Sequence, residues 1–304
     1  MRRDQNNRNG ARPVRIPQAG AVPGSVPQRS PPSATGGLVL WSQGTRKDSD
    51  CRKSKKTREA PETNIMQWNA EGVSNKKEEL EQFLHEKSIQ ICCIQETHLQ
   101  EGKPFKIRGY QVFSNGRKER SKGGVITLVR NNINAIEIKK YTGEAEYIEV
   151  KVTIRDSTIN IINYYCPDNK TLSLDTMQVP NSGFLIAGDF NSWSQSWGYN
   201  TMNNRGEEVE AWQDENQLIL VNDPTDPPTF CSRRWHTTST PDLAFCTDDI
   251  HSKIKRKVEY QLGGRNHRPI VLTLWGVETP EHSRQARWNY KLQDGDYSAY
   301  VPMS

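Results

Sequence analysis

Four short apolar or apolar-leaning runs, each meeting a polar motif at one end, limit what this chain can fold into. Ile89 to Ile94 stops at Gln95-Glu96-Thr97-His98, and Phe184 to Ala187 stops at Gly188-Asp189-Phe190-Asn191. Asn64 to Trp68 ends at Asn69, while Pro269 to Leu274 follows Asn266-His267-Arg268. Runs this short, bounded by turn-forming residues, predict buried strands rather than helices. Strands that carry polar residues at their ends can hold those side chains rigidly towards a shared crevice, which is what a catalytic site needs.

Further strands are expected at Tyr110 to Phe113, Gly124 to Arg130, Ala135 to Lys139, Tyr147 to Ile154 and Thr158 to Tyr165, separated by Gly, Asn and Asp. Ile219 to Asn222, Asp242 to Phe245 and Lys253 to Glu259 read the same way. Helices are expected after Ser74, a candidate N-cap ahead of Leu80, Phe83 and Leu84, and over Arg205 to Leu218, where Val209, Trp212 and Leu218 recur. Hairpins dominate, so the sheets are mixed. The fold class is α/β: two mixed β-sheets packed face to face with flanking helices.

This domain is expected over residues 64–276. Residues 1–63 are rich in Arg, Pro, Gly and Ser and read as a disordered basic tail, and 277–304 as a linker-like C-terminal tail. The tail 1–63 holds thirteen Lys or Arg against five Asp or Glu, whereas the other 241 residues hold 28 against 31. The net charge of +5 therefore comes from the tail, and the core is mildly acidic. The cluster Arg46 to Arg58 suits a phosphate-binding arm, a nuclear-import signal or a solvated linker equally well. No apolar run approaches the ~18 residues of a membrane-spanning helix, and Met1 is followed by Arg and polar residues rather than an apolar leader. The expectation is an intracellular protein, acting in nucleus and cytoplasm, with no membrane partner. Six cysteines show no C-x-x-C spacing and read as buried thiols, neither zinc ligands nor disulfides.

Glu96 at a strand end offers a hard carboxylate of the kind that Mg²⁺ or Mn²⁺ takes. Asp189, after a buried strand and a Gly, is placed to orient or deprotonate a water. Asn69, Asn191 and His267 supply hydrogen bonds to a phosphate as its charge develops. Each residue alone has a plainer reading: a solvated Glu, an Asx-turn, a satisfied histidine. Their joint occurrence in this order carries the inference of metal-assisted phosphodiester hydrolysis.

With these motifs in this order, the sequence resembles the endonuclease/exonuclease/phosphatase superfamily, and within it the endonuclease domain of jockey-like non-LTR retrotransposons. Gly123-Gly124-Val125, Tyr164-Tyr165-Cys166-Pro167, Ser196-Trp197-Gly198, Asn204-Arg205-Gly206 and Pro224-Thr225 resemble that branch, and Trp288-Asn289-Tyr290 resembles the linker leading to a reverse transcriptase. The resemblance implies a four-layer, DNase I-like α/β sandwich. It implies Glu96 and Asn69 at the metal, Asp189 on the water, Asn191 on the phosphate, Tyr165 and His267 near the scissile phosphate, and Asp242 orienting His267. Asn69, Asn191, Thr240 and Arg268 are the implied substrate contacts. Asn266 stands where the family pattern carries Asp, so its part in metal binding is in doubt. A proline, Pro241, precedes Asp242 where a β-branched residue is usual.

The implied partner is double-stranded DNA, with a reverse transcriptase domain in longer relatives and no small-molecule cofactor other than the metal. No polymerase activity is expected of this chain, which reads as a fragment, a decayed copy or a standalone product. An abasic-site repair endonuclease and a catalytically weakened DNA-binding remnant are the alternatives.

Overall fold

The computed structural model describes residues 62–102, 104–117, 122–154, 157–232, 234–264, 266–276, 288–290 and 300–302. The basic segment 1–61, including Arg46 to Arg58 and Cys51, lies outside the described residues.

One six-stranded sheet has the order β13-β14-β1-β2-β4-β3. It comprises β1 (Glu62–Asn69), β2 (Ile89–Gln95), β3 (Tyr110–Asn115), β4 (Val125–Arg130), β13 (Ile254–Val258) and β14 (Ile270–Trp275). The second, of order β5-β6-β7-β8-β12-β9, comprises β5 (Asn134–Thr142), β6 (Glu146–Ile154), β7 (Ser157–Tyr165), β8 (Phe184–Asp189), β9 (Ile219–Leu220) and β12 (Asp242–Cys246). Both are mixed: β1 with β2 and β7 with β8 run parallel, their other pairings antiparallel.

Strand alternation produces the layers. Ile65, Ile91 and Cys93 face Ile148, Val150, Ile161 and Leu185 across the gap between the sheets. Their neighbours Met66, Trp68, Cys92 and Ile94 face outward, under Leu80 and Leu84 of α1 (Lys77–Glu86). Tyr147, Ile162, Tyr164 and Ile186 do the same under Val209 and Trp212 of α2 (Asn204–Glu215). The order helix, sheet, sheet, helix is the four-layer sandwich expected. At Gly188 a Cβ would stand 1.9 Å from the Tyr164 carbonyl oxygen, so only glycine lets β8 approach β7 this closely.

A buried polar seam joins the sheets. Gln95 Nε2 donates to Asn163 Oδ1 at 2.7 Å, Asn163 Nδ2 donates to the Ile126 carbonyl at 2.8 Å, and Gln67 Nε2 donates to Gln95 Oε1 at 3.2 Å.

The structure corrects several local expectations. Ser74 does not cap a helix: it opens a 3-10 turn, Ser74–Lys76, closed by Lys76 N–H on the Val73 carbonyl, and α1 begins at Lys77. The second helix is capped instead by Asn203, whose side chain accepts from Gly206 N–H at 2.8 Å. A short hairpin of β10 (Phe230–Cys231) and β11 (Thr238–Ser239) and the single turn α3 (Asp248–His251) were not expected; strands of two residues leave too little pattern to detect. Within the segment read as a linker, β15 (Trp288–Tyr290) pairs with β16 (Tyr300–Pro302). The five described cysteines are free thiols; Cys92, Cys93, Cys166 and Cys246 are buried as expected, whereas Cys231 is half-buried.

Candidate active site

Register brings the site together. Glu146 pairs with Tyr165, Tyr165 with Asp189, and Asp189 with Asp242, so four ionisable side chains occupy one row across β6, β7, β8 and β12. On the facing sheet Asn69 pairs with Gln95, one residue before Glu96, and His267 lies just before β14. Both sheets therefore end at one cleft of about 830 Å³, lined by Glu71, Glu96, Tyr165, Asp189, Asn191, His267 and their neighbours.

Asn69 is fully buried and holds the two central carboxylates with one amide group. Its Nδ2 donates to Asp189 Oδ2 at 2.8 Å and to Glu96 Oε1 at 3.1 Å. Tyr165 donates its hydroxyl to the same Glu96 oxygen at 3.0 Å, and His98 Nε2 lies 3.2 Å from the other. Burial, then the charges of Glu96 and Asp189, push the Tyr165 phenol far above its ordinary range, so it stays a donor.

Behind them lies a buried ion pair. His267 Nδ1 is 2.9 Å from Asp242 Oδ2, which also accepts from Thr229 Oγ1 at 2.6 Å, while Gln67 Nε2 donates to Oδ1 at 2.8 Å. Burial alone would raise the Asp242 carboxyl, but the His267 charge and these three bonds hold it below the ordinary value. For His267 the order is the same: burial opposes the charge, the Asp242 charge and hydrogen bond outweigh it, and the imidazole rises to about 9. Asp189, with His267 Nε2 at 4.0 Å, has no such bond. Burial and the Asp242 charge push it up to about 7 against the pull of His267 and Asn69. One carboxylate is thus fixed as an anion and its neighbour is poised to take a proton near neutrality.

Among the described residues Asp189, Asp242 and His267 also bring ligand atoms within 4.8 Å of one another. Asp242 has its oxygens occupied by three donors, however, and His267 has Nδ1 turned to Asp242, so this trio reads as a proton-holding unit. Glu96 also has three partners, but its side chain is 17% exposed at the cleft whereas Asp242 is fully buried, so Glu96 is the carboxylate that could hold a metal.

Asn191 lines the cleft, with its Nδ2 donating to the Cys166 carbonyl at 3.0 Å and its N–H to Asp189 Oδ1 at 3.1 Å. Asn266 lines it too, its Nδ2 donating to Glu71 Oε1 at 3.1 Å. Thr240 and Arg268 are not among the lining residues. Arg268 is half-buried, and its N–H donates to the Thr229 carbonyl at 2.7 Å.

Sequence reasoning missed several wall residues. Glu71 follows Asn69 by two positions and donates its N–H to Asn69 Oδ1 at 3.1 Å. Glu146 is buried, pairs with Arg117 at the cleft and accepts from Gly124 N–H at 2.6 Å. Lys122, Lys170 and Phe230 also line the cleft, and Phe230 packs edge-on against His267 with centroids 4.9 Å apart. One backbone signal marks the place: Glu71, Glu96, His98 and Asn191 all adopt left-handed φ of 45° to 55°. Such conformations cost energy for non-glycine residues and cluster at functional sites, but no residue type in the sequence announces them.

Comparison with known proteins agrees with this geometry. A family model described as Endonuclease-reverse transcriptase matches residues 159–271. A probable RNA-directed DNA polymerase from transposon BS of Drosophila melanogaster is 29% identical over 190 residues, covering 59% of this chain and 21% of the relative. Its counterpart from transposon X-element of the same organism is 25% identical over 255 residues, covering 79% and 27%. The chain therefore spans about a quarter or less of these relatives' length. Among solved structures, the endonuclease domain of TRAS1, a telomere-specific non-LTR retrotransposon, superposes with a TM-score of 0.61 at 22% identity, covering 72% of this chain and all of that one. The AP endonuclease of Leishmania major superposes at 0.58 and 14% identity, covering 71% and 88%. Motif order, the family match over residues 159–271 and the fold agree: the chain is similar to the transposon-encoded relatives and shares the fold of the endonuclease domain of a non-LTR retrotransposon.

Proposed function

We propose that this domain is a divalent-metal-dependent endonuclease that nicks double-stranded DNA by phosphodiester hydrolysis, exposing a 3′-hydroxyl from which a reverse transcriptase primes. The observation that carries the reading is that His267, held by the buried Asp242 behind it, and an Asp189 carboxylate raised to about 7 line one cleft. The reading supposes action on nuclear DNA.

The donor set fits Mg²⁺ or Mn²⁺, since Glu96, Glu71 and the Asn266 carbonyl offer only hard oxygens and partial exposure leaves room for water. The metal would be held by Glu96, with Glu71 supplying the carboxylate that Asn266 does not. A bound divalent ion supplies charge neutralisation at the phosphoryl oxygens. Asp189 Oδ2, steadied by Asn69, accepts the proton of the attacking water. His267, kept protonated by Asp242, and the Tyr165 hydroxyl donate hydrogen bonds to the phosphoryl oxygens as charge grows. Arg117, Lys122 and Lys170 at the rim attract the backbone of the nucleic acid.

Purified protein incubated with supercoiled plasmid and Mg²⁺ or Mn²⁺ tests the reading. Relaxed circles are expected, and their loss in both Asp189→Ala and Glu96→Ala. If the parent leaves the plasmid closed while Asn266→Asp opens it, the fold is intact and its chemistry is damaged; if every variant is silent, the reading fails.

A further inference from the structure

Two residues past Asn191, Trp193 stands 49% exposed while most large apolar side chains of the domain are buried. Its indole stacks on Tyr199 with centroids 5.7 Å apart and planes 12° from parallel. The stack is anchored. Trp193 N–H donates to Asn203 Oδ1 at 3.0 Å, and Asn203 N–H returns a bond to the Trp193 carbonyl at 3.1 Å. Asn203 caps α2, whose Gly206 presses so close that a Cβ there would lie 1.9 Å from the Trp193 carbonyl oxygen. On its other side the Tyr199 hydroxyl bonds Ser239 of β11 and lies near enough to Asp189 and Asp242 to feel their charges. The exposed indole is thus the outer end of an anchored stack, two residues along the chain from Asn191 of the cleft lining. Met202, 41% exposed, sits beside the cap residue in sequence.

Holding a large aromatic ring in water costs apolar burial, and a ring clamped from the backbone side loses little further freedom when a ligand covers it. The ligand fitting a flat apolar face two residues from Asn191 of the cleft is, on the endonuclease reading, a nucleobase. Every base has a π-face, so the contact tolerates sequence variation. From the geometry we infer that Trp193 is a stacking platform for a base of the DNA strand next to the scissile phosphate, a base exposed by local unstacking of the duplex. The inference rests on the endonuclease reading for the identity of the ligand.

The test uses the whole chain in EDTA, so that binding is read without cleavage, with duplexes carrying 2-aminopurine at successive positions. The parent is expected to quench the fluorophore most at one position. Trp193→Ala should lose that quench and bind roughly five- to hundredfold more weakly, the range for removing one base-stacking ring. Trp193→Phe should retain both within about threefold. Trp193→Leu keeps apolar bulk without a π-face and should behave as the alanine variant, which guards against a local collapse. Ile136→Ala, an exposed position on edge strand β5, should bind as the parent. Unchanged affinity and quenching in Trp193→Ala and Trp193→Leu would overturn the inference, as would equal quenching at all positions. Plasmid nicking by the parent with Mn²⁺ separates the two failures: nicking with no Trp193 effect defeats the platform alone, and site-specific quenching without nicking defeats the hydrolase alone.

Discussion

His267 sits between two carboxylates of unequal character, and the inequality sets its proton. Asp242 is saturated by three donors and remains an anion, while Asp189 rises to about 7. A ¹³C-edited imidazole titration should therefore place His267 near 9, and Asp242→Asn should bring it down by one or more pH units. A titration midpoint near 6.5 in the parent would contradict the ion pair. At the cleft mouth, Glu71 and Asn266 share a hydrogen bond. Calorimetric Mn²⁺ binding should weaken roughly tenfold in Glu71→Gln, more in Glu96→Gln, and should tighten in Asn266→Asp, the range seen when partners of a metal site are altered. Equal affinity in Glu71→Gln and parent would remove Glu71 from the site. The residues at strand ends, Asn69, Glu96, Asp189, Asn191 and His267, were legible because each interrupts or borders an apolar run. Glu71, Glu146 and Thr229 were not, since an isolated Glu or Thr in a loop or at a strand start carries no pattern until the fold brings it beside Asn69, Tyr165 or Asp242.

Among the elements, β7 and β8 carry the most weight, because their parallel register sets Tyr165 beside Asp189 while their inner faces support the seam to the other sheet. Replacing Asn163 by Ala removes the 2.7 Å acceptor of the Gln95 amide, leaving it the longer bond to the Cys93 carbonyl, and removes a donor to the Ile126 carbonyl in the core. Each buried group left without a partner costs about 1–3 kcal/mol, so urea unfolding of Asn163→Ala should show a midpoint lowered accordingly, with an unchanged slope. A loss below ~0.5 kcal/mol would mean that water replaces the amide. The strands were legible to within a few residues because their apolar runs are long enough to show. The two-residue strands β10 and β11 and the 3-10 start of α1 depend on contacts with distant chain rather than on local pattern, while β9 fills only the first half of the strand expected at Ile219 to Asn222.

Over the whole molecule, charge and pH act on different parts. The His267 proton stabilises the fold fully below its unfolded value near 6.5, and that stabilisation is lost as pH rises through about 9. Asp189 acts in the same direction at lower pH: ionising it in the core withdraws stability as pH climbs from about 4 to about 7. Asp242 contributes above its ordinary value and its contribution disappears in acid. Urea midpoints should thus fall between pH 7 and 9 in the parent and stay flatter in Asp242→Asn; parallel curves would show that the pair does not govern alkaline stability. DNA affinity in EDTA should fall steeply with salt, and removing residues 1–61 should reduce that slope, since positions 1–63 hold the positive excess. An unchanged slope would assign phosphate contacts to the cleft cations alone. The sequence by itself determined the fold class, the acidic core with its basic tail, and the order of the strand-end motifs, because hydrophobic period, charge and residue type are local properties. Only the tertiary structure decided which polar groups meet, which carboxylate is saturated, and that Glu71 faces Asn266 and Trp193 stands on Tyr199, because strand register and sheet packing join residues up to about two hundred positions apart.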